Sequence, residues 1–294
     1  MRRKIVKQGT ATMTISLPSK WVKQNNLKEG DEVEMTEEEN KLVIGGEGSN
    51  DEIKKIEIKG KFGKNDLSHL YMVGYDEVVI HFDDEKSLNE ILDRVNEIIG
   101  FEVIDQTEKS VTIKNITSEL DSEYDNILRK TLLIQKDMNE NIVNALKNKE
   151  FERLKQIRRQ EVINNKFTGF LVRIISKKGY ANQSRSPQAY DMIQNLERVA
   201  DQYKYLCDDY IELKKINDEE LDLLIEANEL FLRFYDLHYK LTPEKKHEFR
   251  KLRRELFEKT KKALMNNPSI MNHHVFNIAE KIYNVAGSFF AINV

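Results

Sequence analysis

The chain has 294 residues and a formal charge of −3 at pH 7, longer than one compact domain ordinarily runs, so two or three domains are expected. Charged residues make up 33% of it, while only four are proline and twelve glycine, a composition that favours long, solvated amphipathic helices over a sandwich of short strands. Cys207 is the single cysteine, which excludes an intramolecular disulfide and a cysteine-based zinc site and makes a reducing cytoplasm the expected compartment.

The first stretch is set apart by its charge. Arg2, Arg3, Lys4, Lys7, Lys20, Lys23 and Lys28 precede the first carboxylate, Glu29, an asymmetry that points to a nucleic-acid or anionic-surface contact. Polar residues follow the basic start at once, so it lacks the apolar run of a signal peptide. Nowhere does an apolar run approach the roughly 18 residues of a spanning helix, so no membrane insertion is expected.

"KIVKQG" and "TMTISLP" read as two short strands rich in β-branched residues, with Gly9 in the turn between them. Pro18 ends the second strand, and "SKWVKQNNL" reads as a short helix with Ser19 placed as its cap. Two further strands are expected at 32–35 and 41–44, and "GGEGSN" reads as a linker. A segment of this size buries too little to fold alone without a disulfide, a metal or a second copy. The first two are missing from its residues, so a homodimer is expected.

The run "KIVKQGTATMTISLPSKWVKQNNLKEGDEVEM", with Pro18, Leu27, Gly30, Asp31 and Val33 in pattern, resembles the AbrB/MazE/SpoVT swapped-hairpin family. The resemblance implies a domain over residues 1–48 that intertwines with a second copy and lays a basic face on double-stranded DNA. Arg2, Arg3, Lys4, Lys7, Lys20 and Lys23 would then contact phosphates. Gln8, Thr10, Thr12 and Thr14 would hydrogen-bond to phosphates or base edges, and Trp21 would pack the dimer. The turn "QGTATM" lacks the arginine of some relatives, so no base specificity is implied.

Residues 51–117 alternate strand and helix: "IKKIEIKG", the helix "KNDLSHLYMVG", "DEVVIHF", the helix "DEKSLNEILDRVNEIIG" closed by Gly100, then the hairpin "FEVIDQ" and "SVTIKNI". This predicts a small α+β domain. Its Gly63-Lys64 pair is not a phosphate loop, because Ile58 stands where an upstream glycine is required and Asn65 where Ser or Thr is required.

From 118 to 294 the apolar period is helical, and six segments are expected, at 120–148, 151–177, 187–213, 219–241, 243–265 and from 269 onward. They form two successive sets of three. Within the third, Glu197 and Asp201 lie one turn apart and away from the apolar stripe of Leu196, Val199, Tyr203, Leu206 and Tyr210, which places them on the surface together with Asp208. Cys207 falls on the stripe and reads as a small buried hydrophobe. His273 and His274 are adjacent, so on a helix they diverge by about 100° and do not chelate one ion together.

The segment "NLERVADQYKYL" resembles an acidic motif of the PhoU family of phosphate-signalling proteins, built as a pair of three-helix bundles. That resemblance places Glu197 and Asp201 in acidic motif positions, with Glu161 as a third ligand to a divalent or ferric ion held by oxygen donors. The full order is similar to archaeal phosphate uptake regulators. The expected protein is multidomain and mainly α: a dimeric DNA-binding transcription regulator in phosphate homeostasis, whose helical region senses a signal or holds a phosphate-transport or signalling protein. The alternative is an interaction adaptor in which the hairpin only dimerises. No nucleophile elbow, phosphate loop or His-Glu-x-x-His helix occurs, so an enzyme is not expected.

Overall fold

The computed structural model describes residues 1–38, 41–46, 53–117 and 123–294. They fall into two compact units, Met1–Ile53 and Lys54–Val294.

In the first unit, β1 (Ile5–Gln8) and β2 (Thr12–Ile15) pair antiparallel, with Ile5 opposite Ile15 and Gln8 opposite Thr12. Gly9 opens the turn at φ 76°, a left-handed conformation that glycine adopts without a Cβ clash. The short helix α1 (Ser19–Gln24) follows. Its cap position is taken by Pro18 with no side-chain cap bond, so Ser19 is the first helical residue and not the cap. Proline there supplies a preset φ and has no N–H to leave unpaired. A second antiparallel pair, β3 (Val33–Glu38) and β4 (Lys41–Gly46), extends beyond the expected 32–35 and 41–44 and takes in Gly45 and Gly46 of the expected linker, whose remaining residues lie outside the described ones. The two hairpins remain separate two-stranded sheets.

The first unit has no interior of its own. None of its described residues is buried, and its apolar side chains face outward: Ile5 is 71%, Met13 65%, Met35 59% and Leu42 56% exposed. An isolated two-stranded hairpin is marginal in water.

The second unit begins with β5 (Lys55–Ile58), α2 (Lys64–Met72), β6 (Glu77–His81), α3 (Glu85–Asn96), β7 (Phe101–Gln106) and β8 (Ser110–Asn115). The sheet order is β5-β6-β8-β7, with β5 and β6 parallel and the other pairs antiparallel. Alternation puts Val78, Ile80, Val111 and Ile113 on its covered face, against Leu67, Ile91 and Val95 of the helices. Asp84 caps α3 by accepting from the Ser87 N–H at 2.7 Å. The helix ends at Asn96, so Gly100, at φ 83°, serves the following turn and does not cap the helix.

The helices α4 (Tyr124–Lys147), α5 (Leu154–Ile157), α6 (Gln160–Lys178), α7 (Ser186–Leu213), α8 (Asp218–Tyr239), α9 (Pro243–Asn266) and α10 (Ile270–Ile292) follow. The segment expected at 151–177 is divided: a 3-10 turn, Phe151–Arg153, leads into α5, and α6 starts afresh at Gln160. Breaks elsewhere fall near the expected bounds, with Asn217, Thr242 and Ser269 each accepting a backbone N–H as the cap of α8, α9 and α10. One continuous core joins the helices, from Leu128 to Phe290. Among the described residues no helix is long and apolar enough to cross a membrane.

Sheet and helices share the second unit because α6 is apolar on two sides. Phe170 and Ile174 pack with the sheet core while Leu171, Val172 and Ile175 pack with the helical core. Between them Arg173, 4% exposed, donates to the carbonyls of Tyr71 (2.8 Å) and Tyr75 (2.7 Å) and pairs with Asp76. Its guanidinium lies 4.8 Å from the Tyr71 ring centre. Lys177 also reaches Asp76, at 2.7 Å. The boundary near residue 118 is thus a change of secondary structure within one body.

A candidate nucleic-acid interface and a carboxylate-lined cleft

The basic start is presented without neutralising partners. Arg2, Arg3, Lys4, Lys7, Lys20 and Lys23 are exposed, and none forms an ion pair among the described residues. Facing residues of an antiparallel pair lie on one side of the ribbon. Gln8, Thr12, Thr14 and Val6 therefore share one side, and Lys7 shares the other with Ile5, Met13 and Ile15.

This divides the predicted DNA-contacting set. The polar side offers an amide and two hydroxyls, groups that read base edges or bind phosphate. Thr14 already donates its hydroxyl proton to the Val6 carbonyl at 3.2 Å, so it is left as an acceptor. The other side is apolar apart from Lys7 and is suited to burial against a second copy. Thr10 lies in the turn, and Arg2, Arg3 and Lys4 precede the first strand. Lys20 and Lys23 are on α1, whose Trp21 is half-buried.

The predicted ligand set of the helical region comes together, but not on an open surface. Glu161 of α6 and Glu197, Asp201 and Lys204 of α7 line a cleft of about 910 Å³ whose opposite wall is built from α2 and α3, including Asn65, His69 and Arg94. Glu161 is only 7% exposed. Lys204 donates to Glu161 at 2.9 Å and to Asp201 at 2.6 Å, and Asn165 donates to the same Glu161 oxygen at 2.5 Å.

One expectation is refined by this geometry. Glu197 and Asp201 are only partly exposed, because α6 and the α+β elements cover part of the face that the helical period of α7 alone leaves open. Among the described residues no three His, Cys, Asp or Glu side chains converge so as to hold a metal ion, and the Lys204 ammonium bridges Glu161 and Asp201. Asp208 does not join the group, for it pairs with Arg158 at 2.5 Å.

Glu197 stands apart within the cleft. Burial, with Asp201 and Glu161 as secondary causes, pushes its carboxyl from the usual 4.5 up to about 7. Asp201 and Glu161 have Lys204 for a partner, whereas Glu197 forms no hydrogen bond or ion pair among the described residues. It is thus a titratable carboxyl poised near neutrality.

The remaining predicted residues take ordinary places. Cys207 is fully buried, and burial raises its thiol well above the usual range. His274 is buried and contacts Asp209 at 2.7 Å, while His273 bonds to Asn277.

Residues 6–51 match the family of antidote-toxin recognition MazE, bacterial antitoxin. This segment is MazE/AbrB-like. No curated protein and no solved structure matches the chain, so the phosphate-signalling resemblance of the helical region rests on the residues that suggested it.

Proposed function

We propose that this protein is a dimeric DNA-binding transcription regulator, not an enzyme, whose first unit contacts DNA and whose second unit receives a signal or a partner. The observation that carries the reading is the first unit itself. It is similar to a MazE/AbrB-type domain, it exposes unpaired cations, and it has no buried side chain among its described residues. The apolar side of its first hairpin is closed by a second copy, which doubles every basic residue offered to phosphate. The polar side, with Gln8 and Thr12, faces the duplex, and Arg2, Arg3 and Lys4 grip the adjoining phosphates.

The cleft at Glu197, about 910 Å³, is a concave site of the second unit and supplies the sensor half of the reading. A role in phosphate uptake, a cytoplasmic location and a phosphate-transport or signalling partner are proposed on the PhoU resemblance alone.

A salt titration of the full-length protein against labelled duplex from its own upstream region tests the proposal, beside a variant with Arg3, Lys4 and Lys7 changed to Ala. Wild-type affinity is expected to fall steeply with salt, by roughly 0.9 log units per log unit for each neutralised phosphate, and binding is expected to be lost in the variant. A salt-independent affinity, or an unaffected variant, overturns it.

The adaptor reading keeps one observation in its favour, the independent core of the second unit. It predicts that residues 54–294 alone capture the same partner as the full chain and that neither binds DNA. The description of the matched family favours an antitoxin-like regulator as a third reading, which predicts a stable complex with a toxin encoded beside it.

A further inference from the structure

The helix α9 carries the densest positive charge outside the first unit. Its 24 residues, PEKKHEFRKLRRELFEKTKKALMN, hold nine Lys and Arg against four Glu, a formal +5 in a chain whose total is −3. The helix is held by Phe249, Leu256 and Thr260, which are fully buried. On the side away from them, Arg250, Lys251, Arg254, Lys261 and Lys262 are exposed. At roughly 100° per residue these five fall within about 120° of arc, and His247 lies among them.

Neutralisation differs between the two sides of the helix. Lys259, at the margin, finds Glu226 of α8 at 2.7 Å. Along the stripe Lys251 pairs with Glu255 at 4.0 Å. Arg254, Lys261 and Lys262 form no ion pair among the described residues, and between His247 and Lys262, Glu258 is the one acid inside the arc. From His247 to Lys262 the stripe runs about 22 Å at 1.5 Å per residue.

We propose that this stripe is a second DNA contact, a sequence-independent grip on the phosphate backbone that adds to the hairpin. Three features favour a duplex over other polyanions. The exposed arc is charged along its length and offers no aromatic anchor, whereas protein interfaces concentrate their energy in such anchors. The apolar side of α9 is spent on the core, so no amphipathic face is left to enter a lipid surface. The run of about 22 Å from His247 to Lys262 is long enough to meet several phosphates of a duplex that carries one charge per roughly 3.4 Å of axis on each strand. A weak contact of this kind gains from being tethered to a domain that already holds the same DNA. The inference rests on the DNA-binding reading of the first unit.

The experiment compares full-length wild type, R254Q/K261Q/K262Q, E258Q and the Arg3, Lys4 and Lys7 to Ala variant, by fluorescence anisotropy on short and long labelled duplexes across a salt series. All the α9 changes are at exposed positions, and equal melting curves confirm intact folding. On the long duplex the stripe variant is expected to lose slope, by roughly 0.9 for each phosphate contact removed, and about tenfold or more in affinity at low salt. On the short duplex it should bind like wild type, and E258Q should bind the long duplex more tightly. Equal slope and affinity for wild type and stripe variant on the long duplex overturns the inference while leaving the hairpin reading intact, provided the hairpin variant has lost binding. If wild type binds no duplex, both fall together.

Discussion

The two units of this chain solve the problem of stability in opposite ways. Residues 54–294 bury whole side chains from Leu67 to Phe290 and tie sheet to helices with a buried guanidinium. The first unit buries none among its described residues and leaves Ile5, Met13, Met35 and Leu42 facing outward. The first can be complete only in association, whereas the second is complete in itself. The proposed regulator would couple DNA contact to assembly, because paired hairpins with no buried side chain among their described residues would gain an interior only where a second copy covers them.

The largest effect expected is at the joint inside the second unit. Arg173→Ala removes the partner of Asp76 and two hydrogen bonds to the Tyr71 and Tyr75 carbonyls. Breaking a buried pair by truncating one member costs about 3–5 kcal/mol, moderated here because Lys177 still reaches Asp76. Thermal melting of residues 54–294 reads the loss directly. A change within about 0.5 kcal/mol, the ordinary range for a surface substitution, would show that sheet and helices do not depend on this joint.

Concentration separates the units next. Unfolding of the first unit should follow protomer concentration, losing about 1.4 kcal/mol of apparent stability for each tenfold dilution. Residues 54–294 alone should melt at a temperature independent of dilution if that unit is monomeric. Changing Ile5 and Met13 together to Lys places charges on the apolar side of the first hairpin and should abolish both dimer and DNA binding, as analytical ultracentrifugation and anisotropy would report. A dimer that survives this change would move the self-association surface elsewhere.

The sequence carried the elements better than their company. The strand alternation at Val78–Ile80 and Val111–Ile113, and the caps Asp84, Asn217, Thr242 and Ser269, are local signals, and each marks the element it begins or fills. The two-sided burial of α6 is visible in "GFLVRIIS", which is apolar all round. Its central Arg173 is a signal that something must pair with it, but nothing local names Asp76, 97 residues away. The same limit holds for Glu197 and Asp201. A helical period shows which residues share a side of one helix, not whether another helix covers that side, so the pairing of Lys204 with both Glu161 and Asp201 was not visible in it.

The smallest effect is the most specific to the cleft. Glu197 holds its proton up to about pH 7 in the folded chain, against 4.5 when free, so between those values the folded state binds a proton that the unfolded state has released. Stability from this group is therefore full below the free value and is lost as pH rises through the folded one. Glu197→Gln keeps the neutral shape at every pH. It should match wild type near pH 4 and exceed it by roughly 1 kcal/mol near pH 8, a figure reduced for the solvent that still reaches the cleft. Parallel melting curves for the two proteins across that range would mean that the carboxyl ionises freely and that the cleft is wetter than its walls imply. A gap that opens between pH 4.5 and about 7 and stays level above it would mark Glu197 as a carboxyl that the fold keeps protonated, facing the cleft where a signal would act.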